Sequence, residues 1–215
     1  MTDFDRTAVR RFRFTRCTLD AGTGAVALGY AFDDGPEMVE TVQVPGAPFT
    51  LAPARAQAVQ RALRLLHLVA GVSYYKAAVP PELVIEGEGI DAATAALLTS
   101  IYENGLGEFA YRNGLSLRGH IHFPVASTPV GGTSVPIALH QEASGLKSLP
   151  QGESLPQGAL VAIGGGKDSL VSIEALRALG VPQTVAWVGS SPLIKACAER
   201  TGLPTLNIGR ALSPL

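Results

Sequence analysis

Six consecutive residues, Gly164-Gly165-Gly166-Lys167-Asp168-Ser169, have the composition of an anion-binding loop. Glycines let a backbone turn sharply and approach a ligand with no Cβ in the way. The N–H groups of such a loop, and of a helix starting behind it, face the ligand together with the positive end of the helix dipole. Lys167 adds a mobile cation, and Asp168 could hold a divalent metal beside phosphate oxygens. The bland alternative is a glycine-rich turn that only lets a strand and a helix pack. Two better-known phosphate loops do not fit. A Walker A loop would need glycine at Val161 and Ser or Thr at Asp168, and the dinucleotide fingerprint would need glycine at Ser169.

Two further segments carry more chemistry than packing needs. Ala70 to Ala77 places Ser73, Tyr74, Tyr75 and Lys76 directly after an apolar stretch. Asn104 to Asn113 holds Glu108 and Arg112 among glycines and aromatics.

These residues need elements to position them. Phe12 and Phe14 alternate with Arg11, Arg13 and Thr15. A Gly22–Gly24 turn, an apolar run at 25–32, an Asp33–Pro36 turn and alternation at 38–44 follow, which predicts an antiparallel meander. From Pro53 the period changes. Val59, Leu63, Leu66 and Val69 fall on one helical face, with Gln57, Arg61, Arg64 and His67 on another, up to Gly71. Asp91 caps a second helix reaching about Asn104, residues 108–112 add a further turn or two, and His120 to Val125 alternates like a strand. Ser, Gly and Pro dominate 126–158. Its most linker-like part, 145–158, separates an α+β N-terminal domain (1–150), expected to recognise substrate, from a second unit (158–215).

That second unit reads as strand 159–163, the glycine loop, helix 170–179, strand 184–188, a helix capped by Ser191 up to Arg200, and strand 205–208. This is a parallel α/β pattern of Rossmann-like type. Ligands in such sheets bind where strand order reverses, and no strand remains here to supply the other flank. The expectation is an incomplete α/β domain, part of a longer protein, and a chain that is inactive alone.

Composition bounds the rest. With 17 Lys+Arg against 18 Asp+Glu in 215 residues, the net charge is −1, and no basic excess exists for non-specific nucleic-acid binding. Mean hydropathy is +0.24, yet the most apolar window, 63–72, contains Arg64 and His67 and is too short to span a bilayer. Asp3 and Asp5 sit where a signal peptide would be basic. Cys17 and Cys197 have no ligand or redox spacing and read as packing residues. A cytoplasmic protein without nucleic-acid or membrane partners is expected; oligomeric state is left open.

The loop resembles the pyrophosphate-binding loop of the N-type ATP pyrophosphatases, the PP-loop, whose pattern is Ser-Gly-Gly-x-Asp-Ser. Residues 165–169 match it, with Gly164 in place of the leading serine. The resemblance implies ATP and Mg2+ as cofactors, ATP contacts from Gly164 through Ser169, Asp168 as metal ligand, and cleavage of ATP between its α- and β-phosphates. Together with the segments 70–77 and 104–113, in this order, the chain resembles the ATP-dependent UDP-N-acetylmuramoyl-L-alanyl-L-glutamate epimerases of peptidoglycan precursor synthesis, which are about twice as long. That implies a nucleotide-linked muramoyl dipeptide as substrate and activation of its terminal L-glutamate as an acyl adenylate with release of pyrophosphate. Removal and return of the Cα proton and hydrolysis to AMP would then give the D-glutamyl product.

For the proton transfers the candidates are Lys76 and Glu108, with Tyr75, His120 and His122 behind them. Lys76 could instead snorkel over Tyr75, and Glu108 could be a helix N-terminal acid. The two histidines lack a third metal ligand nearby, and Arg112 could bind a carboxylate or simply cover its helix. An amide-forming ligase on the same loop, or a nucleotide-binding protein without catalysis, would share these features.

Overall fold

A computed structural model of the chain describes residues 5–126 and 157–214. The apolar run at 136–139 and nearly all of the linker-like stretch lie outside the described residues.

The meander forms as expected from β1 (Arg11–Asp20), β2 (Ala25–Phe32) and β3 (Met38–Gln43). Phe14 pairs with Tyr30 across β1 and β2, and Val26 with Val42 across β2 and β3. Alternation then puts Phe12, Phe14, Leu28 and Tyr30 on one face, and all four are buried. The helix α1 (Pro53–Ala70) covers that face. It turns at Gly71 into the four-residue α2 (Val72–Tyr75). A Cβ at Gly71 would come within 2.5 Å of Phe14 and 3.0 Å of Tyr30, so only glycine lets the turn rest on these rings.

The end of α1 is tied down by buried phenols. Tyr30 donates to the carbonyl of His67 at 3.0 Å and Tyr102 to that of Leu68 at 2.6 Å, satisfying carbonyls near the end of the helix. Burial pushes both phenols above their ordinary pKa, so they remain O–H donors. Tyr102 comes from α3 (Ala92–Gly105), capped as anticipated by Asp91, which accepts the Thr94 N–H at 2.7 Å. The helix α4 (Gly107–Asn113) follows.

Three local expectations change. His67 was assigned to the polar face of α1 but is buried, whereas Leu66 is 38% exposed. The imidazole can turn inward because its Nε2 meets the Gly29 carbonyl at 2.8 Å and its ring packs on Phe14 and Tyr30. Residues 120–125 alternate in burial but join no strand, with only an isolated bridge from Val125 to Ile90. A strand not anticipated, β4 (Glu82–Ile85), pairs in parallel with β1, Arg11 opposite Glu82.

After the described gap come β5 (Ala159–Ala162), α5 (Lys167–Ala178), β6 (Gln183–Val188), α6 (Pro192–Arg200) and β7 (Thr205–Ala211). Both parallel ladders form, and Ser191 caps α6 with Pro192 in its first turn. The helix α5 starts three residues earlier than expected, because Gly166 serves as its N-cap.

The pattern of this unit leaves two sources for its missing neighbours, the meander or further chain beyond residue 215, and favours the second; on the β7 side the meander supplies the neighbour. Strand β7 pairs with β6 through its first half and antiparallel with β3 through its second, Val42 opposite Arg210. One mixed sheet of seven strands results, ordered β4-β1-β2-β3-β7-β6-β5. The α+β class holds. Among the described residues there is no PP-loop domain, only three parallel strands and two helices extending the meander's sheet.

Register shows how the layers are arranged. Ile208 and Arg210 share the face of Val42, so Ala186, Val188 and Leu160 continue that face while Val161, Val185 and Trp187 point the other way. The helices α1–α4 pack on the first face and α5–α6 on the second. Beyond β7 the first face is open at Leu160, 63% exposed, and at Val188, 55% exposed, while Ala186 is buried. β5 is an edge strand.

The seam between β3 and β7 carries a charge pair of a buried carboxylate and a partly exposed guanidinium. Glu40 has no exposed surface. Arg210 donates from Nε to Oε1 at 2.6 Å and from Nη2 to Oε2 at 3.2 Å, and also reaches the Ser73 hydroxyl at 2.8 Å. The Ser213 amide donates to the Tyr74 phenol oxygen at 2.9 Å, so α2 holds the end of β7.

Removing one partner of a buried pair strands the other charge, at a cost of about 3–5 kcal/mol. Arg210→Met is therefore expected to lower stability in urea unfolding by about 3 kcal/mol, and Glu40→Leu added to it should restore most of the loss. A second test concerns His67, whose pKa burial lowers from 6.5. Its contribution is complete above 6.5 and declines as pH falls below that value, because the unfolded chain then takes up a proton that the folded one refuses. The unfolding midpoint should drop between about pH 7 and about pH 5.5, and His67→Gln should flatten that dependence.

Candidate functional site

The glycine loop sits at the C-terminal end of β5, where the Ile163 amide still bonds the Ala186 carbonyl of β6 at 2.9 Å. Gly165 has a φ of +82°, which an L side chain rarely adopts. Gly164 and Gly166 are different: neither has a positive φ, and a Cβ at either would meet nothing within 4 Å. Packing of strand against helix thus requires glycine at one position of three. Open space over the other two is what a ligand approaching the backbone needs.

The helix behind the loop presents its positive end, since Gly166 makes no side-chain capping bond. The Ser169 hydroxyl donates to the Gly166 carbonyl at 2.8 Å and so braces the loop. The side chains of Lys167 and Asp168 are exposed and have no hydrogen-bond or ion-pair partner among the described residues. No group of three His, Cys, Asp or Glu that could hold a metal occurs there either, so Asp168 would need phosphate oxygens as co-ligands. The buried Trp187 indole N–H, on the strand beside β5, also lacks an acceptor.

A second place with chemistry arises from β4. Because β1 and β4 run parallel with Arg11 opposite Glu82, the segments just ahead of each strand lie side by side. Arg6 and Thr7 come from one, Lys76 to Val79 from the other, and Ser116 and His120 complete a half-open cleft of about 220 Å³. No acidic residue lines it. The segment 70–77 thus divides its groups: Ser73 and Tyr74 hold β7, the buried Tyr75 donates to the Pro80 carbonyl at 3.2 Å, and Lys76 faces the cleft. Tyr75 is wholly buried while Lys76 is exposed.

Other candidates are placed elsewhere. Glu108 lies in the first turn of α4 with its side chain 78% exposed, paired with Arg112 at 2.9 Å. The pair is an exposed i,i+4 ion pair at the surface of α4. His120 and His122 each engage a backbone carbonyl through Nε2, of Val79 at 3.1 Å and of Gly119 at 3.0 Å. Cys17 and Cys197 pack against the two apolar clusters. No hydrogen bond or ion pair among the described residues links Lys76, Glu108 or His120 to the glycine loop. Arg6 was missed because a single arginine near a chain start has no pattern; the β1–β4 pairing alone brings it to the cleft.

Comparison with known proteins gives a family. The family model described as MurL N-terminal domain matches residues 3–215. The chain belongs to this family. A relative from Xanthomonas oryzae pv. oryzae named UDP-N-acetyl-alpha-D-muramoyl-L-alanyl-L-glutamate epimerase is 61% identical over 214 residues, covering 100% of this chain and 44% of the relative. Relatives of the same name from Micromonospora and Salinispora tropica are 37% and 33% identical, each over 95% of this chain and 42% of their own length. The chain thus spans less than half of the curated relatives it matches. No solved structure matches it.

Within this MurL N-terminal domain the three glycines can be told apart by experiment. Gly165→Val should cost roughly 1–2 kcal/mol through backbone strain. Gly164→Ala should change stability by less than about 0.5 kcal/mol while weakening binding of inorganic pyrophosphate at the loop. Thermal unfolding and a pyrophosphate titration on the same samples check both.

Proposed function

We propose that the chain is the N-terminal part of an ATP-dependent epimerase that inverts the terminal L-glutamate of UDP-N-acetylmuramoyl-L-alanyl-L-glutamate in peptidoglycan precursor synthesis, a cytoplasmic reaction. The names of the relatives support the substrate and the outcome. The glycine loop supports the use of ATP: it keeps glycine where packing does not ask for it, at an uncapped helix start flanked by an unpaired lysine and aspartate.

The chemical need for activation is simple. A glutamate carboxylate already carries a negative charge and resists a second one at the neighbouring Cα. ATP would remove that charge by adenylating the carboxylate, with release of pyrophosphate. In this reading the N–H groups from Gly165 to Ser169 bind the phosphates, Lys167 neutralises charge on them, and Asp168 shares Mg2+ with their oxygens. Of the two acid-base candidates, Lys76 lines a cleft, whereas Glu108 is solvated and paired with Arg112. Lys76 is therefore the better placed to take the Cα proton or to neutralise the enolate. The remainder of the site would come from the rest of the protein, covering the bare face at Leu160 and Val188 and the open edge of β5.

The decisive measurement uses a protein extended to the length of the relatives, with ATP, Mg2+ and the muramoyl dipeptide in heavy water. AMP, pyrophosphate and Cα deuterium should all appear. AMP that depends on an added amine would make it a ligase, and no turnover would leave a nucleotide-binding protein. Lys167→Ala and Asp168→Ala should each slow pyrophosphate release about 10- to 100-fold; rates equal to the parent would remove the loop from the mechanism. Lys76→Met should suppress deuterium uptake far more than Glu108→Gln, with pyrophosphate release little changed in both. The 215-residue chain alone should show no inversion.

A further inference from the structure

The cleft beside Val79 has features that the glycine loop does not explain. Val79 is β-branched, precedes Pro80 and has a φ of +53°, a conformation disfavoured on both counts. It is held there from several sides. Its amide donates to the Tyr75 carbonyl at 2.8 Å, its carbonyl accepts from His120 Nε2 at 3.1 Å, and the next carbonyl, of Pro80, accepts from the buried Tyr75 phenol. Strain maintained by this many contacts is characteristic of ligand sites.

The same contacts orient polar groups towards the cleft. Since His120 Nε2 must carry a proton to bond a carbonyl, Nδ1 is left without a partner among the described residues. Lys76 and Arg6 have no ion pair there, although eight are formed elsewhere among the described residues. Two cations and the Ser116 hydroxyl line about 220 Å³ with no carboxylate among the lining residues; the nearby Asp5 carboxylate is engaged by the Thr7 amide and hydroxyl at 2.9 and 2.6 Å. A volume far above the ~10–15 Å³ needed by one water leaves room for an oxyanion and its hydration. An apolar or cationic ligand would leave both charges uncompensated.

We propose that this cleft is a second binding site, taking an oxyanion, either a carboxylate or a phosphate of a small molecule, between Lys76 and Arg6. The assignment names the ligand class of the cleft in which the reaction proposed above places Lys76; it rests on that reading only for the role of Lys76 in turnover, and binding alone tests it, apart from turnover and from the glycine loop.

Residue-resolved NMR of the 215-residue chain tests it, with glutarate as the carboxylate probe and inorganic pyrophosphate as the phosphate probe. At least one probe should give saturable shifts at the amides of Ala77, Ala78, Val79 and Leu117, separate from any at 164–169. The tighter probe identifies the source of the oxyanion. Lys76→Met and Arg6→Gln should each weaken that binding about tenfold. Both side chains are unpaired, so the variants should keep the parent spectrum elsewhere, which also reports that they fold. Shifts confined to 164–169, no shifts with either probe at about 10 mM, or cleft shifts unchanged in the Lys76→Met, Arg6→Gln double variant would overturn the proposal.

Discussion

The carboxyl group of Glu40, sealed from solvent and held by two nitrogens of Arg210, joins the two halves of the sheet. A buried carboxylate is tolerable only with a well-placed partner, and the partner here lies on β7. That requirement fixes the register of Val42 against Arg210, and the register decides which faces of β5 and β6 look towards α1–α4. The glycine loop inherits its place from the same pairing, because among the described residues β5 reaches the rest of the sheet only through β6 and β7.

The short helix α2 connects this seam to the cleft. Ser73 and Tyr74 bind the end of β7, Tyr75 supports the strained backbone at Val79 and Pro80, and Lys76 is left facing open space. Four neighbouring residues thus divide three tasks, two of them structural. Gly71 makes this possible by letting the chain turn directly on Phe14 and Tyr30.

Elements with a strong local signal were readable from the sequence. The meander alternates, Asp91 and Ser191 are ordinary N-caps, and Pro192 followed by Gly202 brackets a helix. What could not be read depends on distant partners. β4 is four residues long and is a strand only because β1 runs beside it. Residues 120–125 have the right alternation but no such neighbour, so they remain extended chain. His67 looked polar and faces inward because a carbonyl on β2 happens to meet it. The glycine loop was legible as chemistry; that only Gly165 needs its backbone freedom required the space around each Cα. The cleft was half legible, through Lys76 and His120, while Arg6 enters it through a strand pairing that periodicity does not reveal.

The pairing of Glu40 with Arg210 spans 170 positions of chain, and this has a consequence for how the protein is made. A ribosome delivers β1 to β3 long before β7 emerges. Throughout that interval the carboxylate of Glu40 has no arginine, and desolvating it would be costly. The nascent meander must therefore keep water at this one point of its otherwise apolar face, and the aromatic layer cannot close completely. Closure of so long a loop is also slow. The strand β7 thus acts as a latch: it supplies Arg210 to the Glu40 carboxylate, and the N-terminal face gains its charge partner only when the strands leading from the glycine loop are in place.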